Sequence, residues 1–304
     1  MNQPIESDNL DLDIDIDSLL DEMQDDVDSE VEETETKDNS FSDSEIPGVL
    51  TYDLETVPDE SRFPAPKKVQ ASGVGDVEVL LSKTANEIKK EVSDATEDEL
   101  LDMRAKEASG PARKTVLSYI DGEVKSRSSE FEKWVKSNSV DPFRCKICAI
   151  GWSVGRGEIR SMTAQNEDEE REILKAFWRL ASESEKGESK PRTRIGFGIT
   201  RFDDVVIANR SIALGIKPSF RLMLKKYGNK QAVDLEQLIF QNTKVVAAKS
   251  VARAWSISIP EPEMDGSQVY ELFQAEEMDK IASYVRSDVY VEREMYEIAH
   301  GMFE

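Results

Sequence analysis

The segment Gly48-Val-Leu-Thr-Tyr-Asp-Leu-Glu55 alternates apolar and polar residues with a period of two. Successive side chains of a β-strand point to opposite faces of the sheet. Tyr52 and Leu54 therefore share one face, while Asp53 and Glu55 share the other. The segment predicts a strand that carries two carboxylates on one side.

These two carboxylates are close enough to bind a cation together. Residues i and i+2 of a strand lie about 6.6 Å apart, at a rise of about 3.3 Å per residue. Carboxylates at this distance repel each other unless a cation lies between them, and Mg²⁺ and Mn²⁺ prefer oxygen ligands. Alone, the pair fits a solvated strand face equally well, so a metal site needs further acids.

Strands and helices alternate along much of the remaining chain. Apolar patterns predict strands at 145–154, 158–163, 194–198 and 232–235, the first two joined by the turn Gly155-Arg-Gly157. Helical spacing predicts helices at 167–181, 203–214 and 278–299. This order predicts an α/β fold, a sheet with flanking helices.

A charged, helix-rich stretch at 63–140 interrupts this pattern. A capping box at Thr96 and Glu99 begins one predicted helix, and a second helical pattern runs through Phe131 and Trp134. Ser109-Gly-Pro111 lies between them as a break. We expect this stretch to be an insertion packed beside the main sheet.

Most of the acidity of the chain lies in its first 45 residues. They hold 18 acidic residues and one base, Lys37, for a net charge of −17, whereas the other 259 residues have a net charge of −6. Few apolar side chains offset the ordering entropy of this region, so residues 1–46 are predicted to be a disordered tail. The alternating segment at 10–23 could bind a protein partner, although a solvated tail also explains it.

Composition excludes several classes of protein. No apolar run approaches the roughly 18 to 20 residues of a membrane-spanning helix, and residues 1–8 contain no base, so we expect a cytoplasmic protein without a membrane partner. Two cysteines and one histidine are too few for a four-ligand structural zinc site. Cys145 and Cys148 are predicted to be buried strand residues.

Three short motifs follow one another in the sequence. They are Tyr52-Asp-Leu-Glu-Thr56, then Phe202-Asp203 at the start of a predicted helix, then Tyr284-Val-Arg-Ser-Asp288 on the last helix. In this order they resemble the motifs of the DnaQ-like (DEDDy-type) 3′-5′ exonuclease superfamily. The segment Met264-Asp-Gly-Ser-Gln-Val-Tyr-Glu-Leu272 is similar, more narrowly, to predicted exonucleases related to the proofreading domain of family B DNA polymerases.

The resemblance implies a ribonuclease H-like mixed sheet over residues 47–304 and a metal-dependent 3′-5′ exonuclease. Such an enzyme removes nucleoside monophosphates from single-stranded or frayed DNA ends. Carried over by motif, the acids that bind two Mg²⁺ or Mn²⁺ ions are Asp53, Glu55, Asp203 and Asp288, and Tyr284 is the catalytic tyrosine. RNA as the substrate stays open, as does a catalytically weak binding module in replication or repair.

Two features of the motifs leave questions open. Asp204 adjoins Asp203, and only the resemblance favours Asp203 as the ligand. Many relatives place an asparagine shortly before this aspartate, whereas this chain has Gly196-Phe-Gly-Ile-Thr200. Tyr284 and Asp288 are spaced i and i+4, so on a helix they share a face and the phenol could reach a water near Asp288.

Contacts to nucleic acid are less evident in the sequence. Basic residues form two small clusters, Lys225, Lys226 and Lys230, and then Lys244, Lys249 and Arg253. Either cluster could contact phosphate, although such clusters are more often solvated faces. Phe202 and Phe63 are candidates for stacking on a terminal base, or else core residues.

Overall fold

A computed structural model describes residues 48–66, 71–182, 191–222, 231–240 and 245–303. The predicted tail at 1–46 lies outside the described residues. Within these ranges no helix is both long enough and apolar enough to cross a membrane.

A five-stranded mixed sheet forms the centre of the fold. Its strands are β1 (Leu50–Pro58), β2 (Cys145–Val154), β3 (Arg160–Thr163), β4 (Arg194–Gly196) and β5 (Ala232–Asp234). The order across the sheet is β3-β2-β1-β4-β5. Strands β1, β2 and β3 pair antiparallel, whereas β4 pairs parallel with both β1 and β5. Flanking helices cover this sheet, so the predicted ribonuclease H-like fold is confirmed.

Ten α-helices lie within the described residues. They are α1 (Val77–Leu81), α2 (Ala85–Glu91), α3 (Glu97–Ser109), α4 (Lys114–Ser139), α5 (Glu167–Ser182), α6 (Asp203–Leu214), α7 (Leu235–Phe240), α8 (Ala248–Ala254), α9 (Val269–Gln274) and α10 (Met278–Phe303). Short 3₁₀ turns lie at Val92–Asp94 and Gly266–Gln268. Helices α5 and α6 cover one face of β1 and β2, whereas α9 and α10 cover the other.

The alternation along β1 sorts its side chains between these two faces. Leu50, Tyr52 and Leu54 belong to the largest core cluster, with α5 and α6. Val57 packs with α9 and α10 on the other face. By the same alternation, the odd-numbered Asp53 and Glu55 face α10, as the sequence pattern predicted. The acids therefore lie between the central strand and the last helix.

Gly151 on β2, opposite Asp53, lets α10 approach the sheet closely. A Cβ atom at this position would lie 2.9 Å from the carbonyl oxygen of Val285 and 3.0 Å from Val289 Cγ2. Any larger residue would push α10 outward, so this glycine sets the separation between the helix and the acidic face of β1.

Helices α1–α4 of the predicted insertion surround a small core of their own. Its buried residues include Leu80, Ile88, Leu100, Met103 and Ile120. Arg127 of α4 donates to the carbonyl oxygens of Ala95 (2.6 Å) and Ser93 (2.9 Å) and so ties the 3₁₀ turn to the long helix. At the C-terminal end of α4, Thr56 Oγ1 of β1 donates to the carbonyl oxygen of Ser139 at 2.6 Å.

Some predicted boundaries differ from the structure. The strand expected at 194–198 ends at Gly196, because Phe197 N–H is donated to the Glu292 side chain and Gly198 has a φ of +77°. The strand expected at 158–163 begins only at Arg160, and the last helix extends beyond 299 to Phe303. The loop created by the early end of β4 contributes to the candidate site.

Candidate active site

Three of the predicted acids form a tight cluster. Asp53, Glu55 and Asp288 each offer a carboxylate oxygen, and the three oxygens lie within 4.8 Å of one another. Strand β1 supplies two of them and α10 the third. Asp288 is partly exposed and Glu55 is buried, so the cluster lies at the edge of the interior.

Asp203 is the fourth predicted acid, and it is the first residue of α6. Its side chain is only 4% exposed. Burial raises its pKa to about 7, together with the charges of Asp204 and Asp234, while a hydrogen bond from the Leu54 backbone opposes the shift. Its charge also raises the pKa of Asp53 and of Glu55, so it lies beside the three clustered acids without belonging to the 4.8 Å group.

Asp204 has a different environment from its neighbour. Its Oδ1 accepts from Tyr52 Oη at 2.8 Å and from Arg194 Nε at 3.0 Å, and its Oδ2 accepts from Arg194 Nη2 at 3.1 Å. Asp204 and Arg194 are both fully buried. The carboxylate is thus neutralised by an arginine on the α6 side of the sheet, which favours Asp203 over Asp204 as a cation ligand.

The ionised forms of the clustered acids are destabilised by burial and by one another's charges. Burial is the largest cause that raises the pKa of Asp53 and of Glu55, and neighbouring carboxylates raise both further. Burial also raises the pKa of Asp288, opposed first by the charge of Lys249. Carboxylates under such repulsion attract cations, and an all-oxygen donor set suits hard ions such as Mg²⁺ or Mn²⁺.

Tyr284 connects the acidic cluster to the core. Asp288 lies one turn further along α10, as the i and i+4 spacing allows, and it is close enough to the phenol for each group to affect the pKa of the other. Its ring packs in the cluster formed by Val57, Val285 and Phe273. Burial and then the charge of Glu55 raise the pKa of this phenol, so it remains protonated at neutral pH.

Lys249 of α8 is a cation that borders this cluster. Its Nζ lies 3.6 Å from Asp288 Oδ1 and 4.4 Å from the centre of the Tyr284 ring. It also donates to the carbonyl oxygen of Met264 at 2.5 Å. Lys249 therefore joins α8, α10 and the segment that begins at Met264, and is not part of a solvated face.

Sequence reasoning missed two further buried acids. Asp234, at the end of β5, accepts from the backbone N–H groups of Gly198 (3.0 Å) and Thr200 (3.1 Å). Glu292 of α10 accepts from Phe197 N–H at 3.0 Å. Together they hold the loop between β4 and α6. The spacing of Glu292, four residues after Asp288, was the available signal.

The other predicted nucleic-acid contacts are less well supported. Phe202 is partly buried against the main core, and the Arg144 guanidinium lies 5.8 Å from the centre of the Phe63 ring. Lys225, Lys226, Lys230 and Lys244 lie outside the described residues. Cys145 and Cys148 are buried in β2, as predicted.

A ribonuclease H-like sheet with clustered carboxylates at its central strand is typical of nucleases. Residues 143–296 match the family of predicted 3′-5′ exonucleases related to the exonuclease domain of PolB. The match spans just over half of the chain, which therefore belongs to this family. Such a domain implies nucleic-acid binding. No curated protein matches the chain.

The matched segment does not include strand β1, which carries Asp53 and Glu55. The structure nevertheless places β1 at the centre of the sheet, paired with β2 from Leu50 to Pro58. The helical stretch between these two strands separates them in sequence but not in space. The first motif thus lies within the same sheet as the matched region.

Proposed function

We propose that residues 47–304 form a metal-dependent 3′-5′ exonuclease, with residues 63–140 inserted between its first two strands. It would remove nucleoside monophosphates from single-stranded or frayed DNA 3′ ends, using two Mg²⁺ or Mn²⁺ ions. The approach of Asp53, Glu55 and Asp288 to within 4.8 Å is the observation that supports this proposal most directly.

The donor set fits divalent cations. Asp53, Glu55, Asp203 and Asp288 offer only carboxylate oxygens, and burial together with mutual repulsion raises the pKa of each of the first three. Bound cations would stabilise the charge that develops during phosphoryl transfer and lower the pKa of a coordinated water. DNA is favoured because the family is related to the exonuclease domain of a DNA polymerase.

The other side chains of the site orient these carboxylates. The Tyr284 phenol lies beside Asp288, and as a hydrogen-bond donor it would fix the rotation of that carboxylate. Lys249 approaches the same carboxylate at Oδ1, 3.6 Å away. Asp234 holds the loop that leads into Asp203. The protein would thus hold its carboxylates in place for the cations, and the cations would stabilise the negative charge that develops in phosphoryl transfer.

The test is digestion of 5′-labelled DNA and RNA oligomers in Mg²⁺, in Mn²⁺ and in EDTA. Wild-type protein should shorten DNA from its 3′ end, and both Asp53→Asn and EDTA should stop digestion. Asp279→Asn is the matched control, because Asp279 is exposed on the first turn of α10. Digestion of RNA but not of DNA would show that the substrate is RNA. Digestion that continues in EDTA would overturn the proposal.

A further inference from the structure

Glu292 lies on the same face of α10 as Tyr284 and Asp288, since the three residues are spaced by four. The Glu292 side chain is nearly fully buried, with 4% of the residue exposed. A buried carboxylate needs partners, because removing its charge from water costs several kcal/mol by typical values.

Only one oxygen of Glu292 has such a partner. Oε1 accepts from Phe197 N–H at 3.0 Å. Oε2 is buried and has no hydrogen-bond partner among the described residues. This oxygen lies 3.4 Å from the position that a Cβ atom would take at Gly196, so it points towards the end of β4 beside the central strand.

The surroundings of this carboxylate are acidic. Of the charged groups that raise the pKa of Asp53, Glu292 has the largest effect. The pKa of Glu292 is in turn raised by the charges of Asp203, Asp288 and Asp234. Asp234 is already held by backbone N–H groups of the loop after β4. The cation Lys249 acts on two acids of the site, Glu55 and Asp288.

We propose that Glu292 is a fifth carboxylate of the divalent-cation site, with Oε2 facing the cations and Oε1 holding the loop after β4. This inference rests on the proposed function. Five carboxylates and the ammonium of Lys249 leave four negative charges, which two divalent cations would neutralise. Glu292 would act as a positioning residue that joins cation binding to the loop leading into Asp203.

Titration of the purified full chain with Mn²⁺ by calorimetry tests this role. Glu292→Gln keeps the shape and an acceptor for Phe197 N–H but loses the charge. The Mn²⁺ affinity should fall about 10- to 100-fold, as for other groups that support metal ligands. Glu294→Gln is the matched control, since it removes a charge from the same helix at a partly exposed position beside Arg293. Its affinity should stay within about twofold of wild type.

Glu292→Asp separates a charge effect from a structural one. If the carboxylate faces the cations, E292D binds Mn²⁺ more tightly than E292Q. If Glu292 only holds the loop, the isosteric E292Q is the better tolerated variant, and that order overturns the inference. Circular dichroism checks the fold first. Should E292Q not fold, Glu292→Ala takes its place: a Mn²⁺ affinity weaker than that of E292D, with an unchanged spectrum, supports the inference, and equal affinities overturn it.

The wild-type titration separates this inference from the proposed function. Wild-type protein that binds no Mn²⁺ overturns both. A different result overturns only the role of Glu292: wild type binds Mn²⁺, Asp53→Asn abolishes the binding, and E292Q binds as tightly as wild type.

Discussion

Asp203 and Asp204 are adjacent and chemically identical, yet their partners differ completely. Asp204 is neutralised by Arg194 and bonded to Tyr52. Asp203 has no arginine partner among the described residues and lies beside Asp53 and Glu55, whose charges repel its own. Removing the charge should therefore have opposite effects on stability at the two positions.

We expect Asp204→Asn to destabilise the protein by about 3 to 5 kcal/mol, because it leaves Arg194 buried without its counter-charge. Asp203→Asn should leave the melting temperature unchanged or raise it, while abolishing digestion. Urea denaturation in EDTA measures the first effect, and single-turnover digestion measures the second. A stable but inactive Asp204→Asn, paired with an active Asp203→Asn, would shift the ligand to Asp204.

Tyr284 offers a second test at the level of one atom. Tyr284→Phe keeps the ring in the core but removes the phenol hydroxyl beside Asp288. We expect digestion to slow about 10- to 1,000-fold, the range of other single catalytic donors. Oligomer binding in Ca²⁺ should not change. A wild-type rate would make the tyrosine a core residue only.

The raised pKa values predict how stability depends on pH without cations. Asp203 keeps its proton up to about pH 7, whereas its ordinary value is 3.8. Between these values the folded state binds more protons than the unfolded state, so the contribution of Asp203 to stability is lost as pH rises from about 4 to 7.

Melting temperatures in EDTA across this range measure the effect. Asp203→Asn is the control, and it should remove part of the decline. Lowered pKa values, as at Asp59, act in the opposite direction, so the difference between wild type and variant is the informative quantity. An identical pH profile for both proteins would contradict the prediction.

At the level of elements, the end of β4 is the most constrained position near the site. A Cβ at Gly196 would lie 2.1 Å from Ile199 Cγ2 and 2.9 Å from the Tyr52 carbonyl oxygen. The loop that follows carries three backbone N–H groups bound by Glu292 and Asp234. A side chain at position 196 would therefore clash with these atoms and displace the loop that leads into Asp203.

We expect Gly196→Ala to destabilise the protein by about 1 to 3 kcal/mol through overpacking, and to reduce digestion even well below its melting temperature. Gly122→Ala is the control: a Cβ there meets nothing within 4 Å on helix α4, so it should be neutral or stabilising. Thermal melts and digestion rates compare the two. Full activity in Gly196→Ala would show that the loop tolerates displacement.

Local patterns predicted most elements, because alternation and helical spacing report on neighbours in sequence. The alternation of apolar and polar residues along β1 correctly placed Asp53 and Glu55 on one face of the sheet. Helix α6 begins and ends where its apolar pattern indicated. The end of β4 was wrong, since it depends on Glu292, a residue 95 positions away. Asp234 was missed for the same reason, and Lys249 was predicted in a basic cluster and not beside Asp288, because only tertiary contacts bring these residues to the loop and the acids.

At the scale of the whole molecule, charge is unevenly distributed along the chain. The first 45 residues have a net charge of −17 and the rest −6. A strongly negative segment repels phosphate over a Debye length of about 10 Å at 0.1 M salt. It would therefore weaken nucleic-acid binding by the domain that follows it.

Deleting residues 1–44 should tighten binding of a single-stranded DNA oligomer, and more at low salt than at high salt. The melting temperature should barely change. Fluorescence anisotropy in Ca²⁺ at two ionic strengths measures the affinity. An affinity that the deletion leaves unchanged at low salt would favour a protein partner for this segment.

The motifs led from sequence to the family, but the roles of the individual acids remain predictions. The helical stretch was predicted as an insertion from its charge and capping box, and its separate core fits that expectation. Its hydrogen bond from Thr56 to Ser139, next to Glu55, could not be predicted, because it joins residues 83 positions apart.

Cys148 is buried in β2 and lies directly beside Glu55, one of the clustered acids. Its thiol donates to the Glu55 carbonyl oxygen at 3.3 Å, and burial raises the pKa of both cysteines, that of Cys145 to about 12. Since only the thiolate reacts readily with alkylating reagents, the native sheet keeps both sulfurs inert at neutral pH. Alkylation would then occur only in molecules in which β1 and β2 have separated. The rate of alkylation therefore measures how often the strand that carries Asp53 and Glu55 opens.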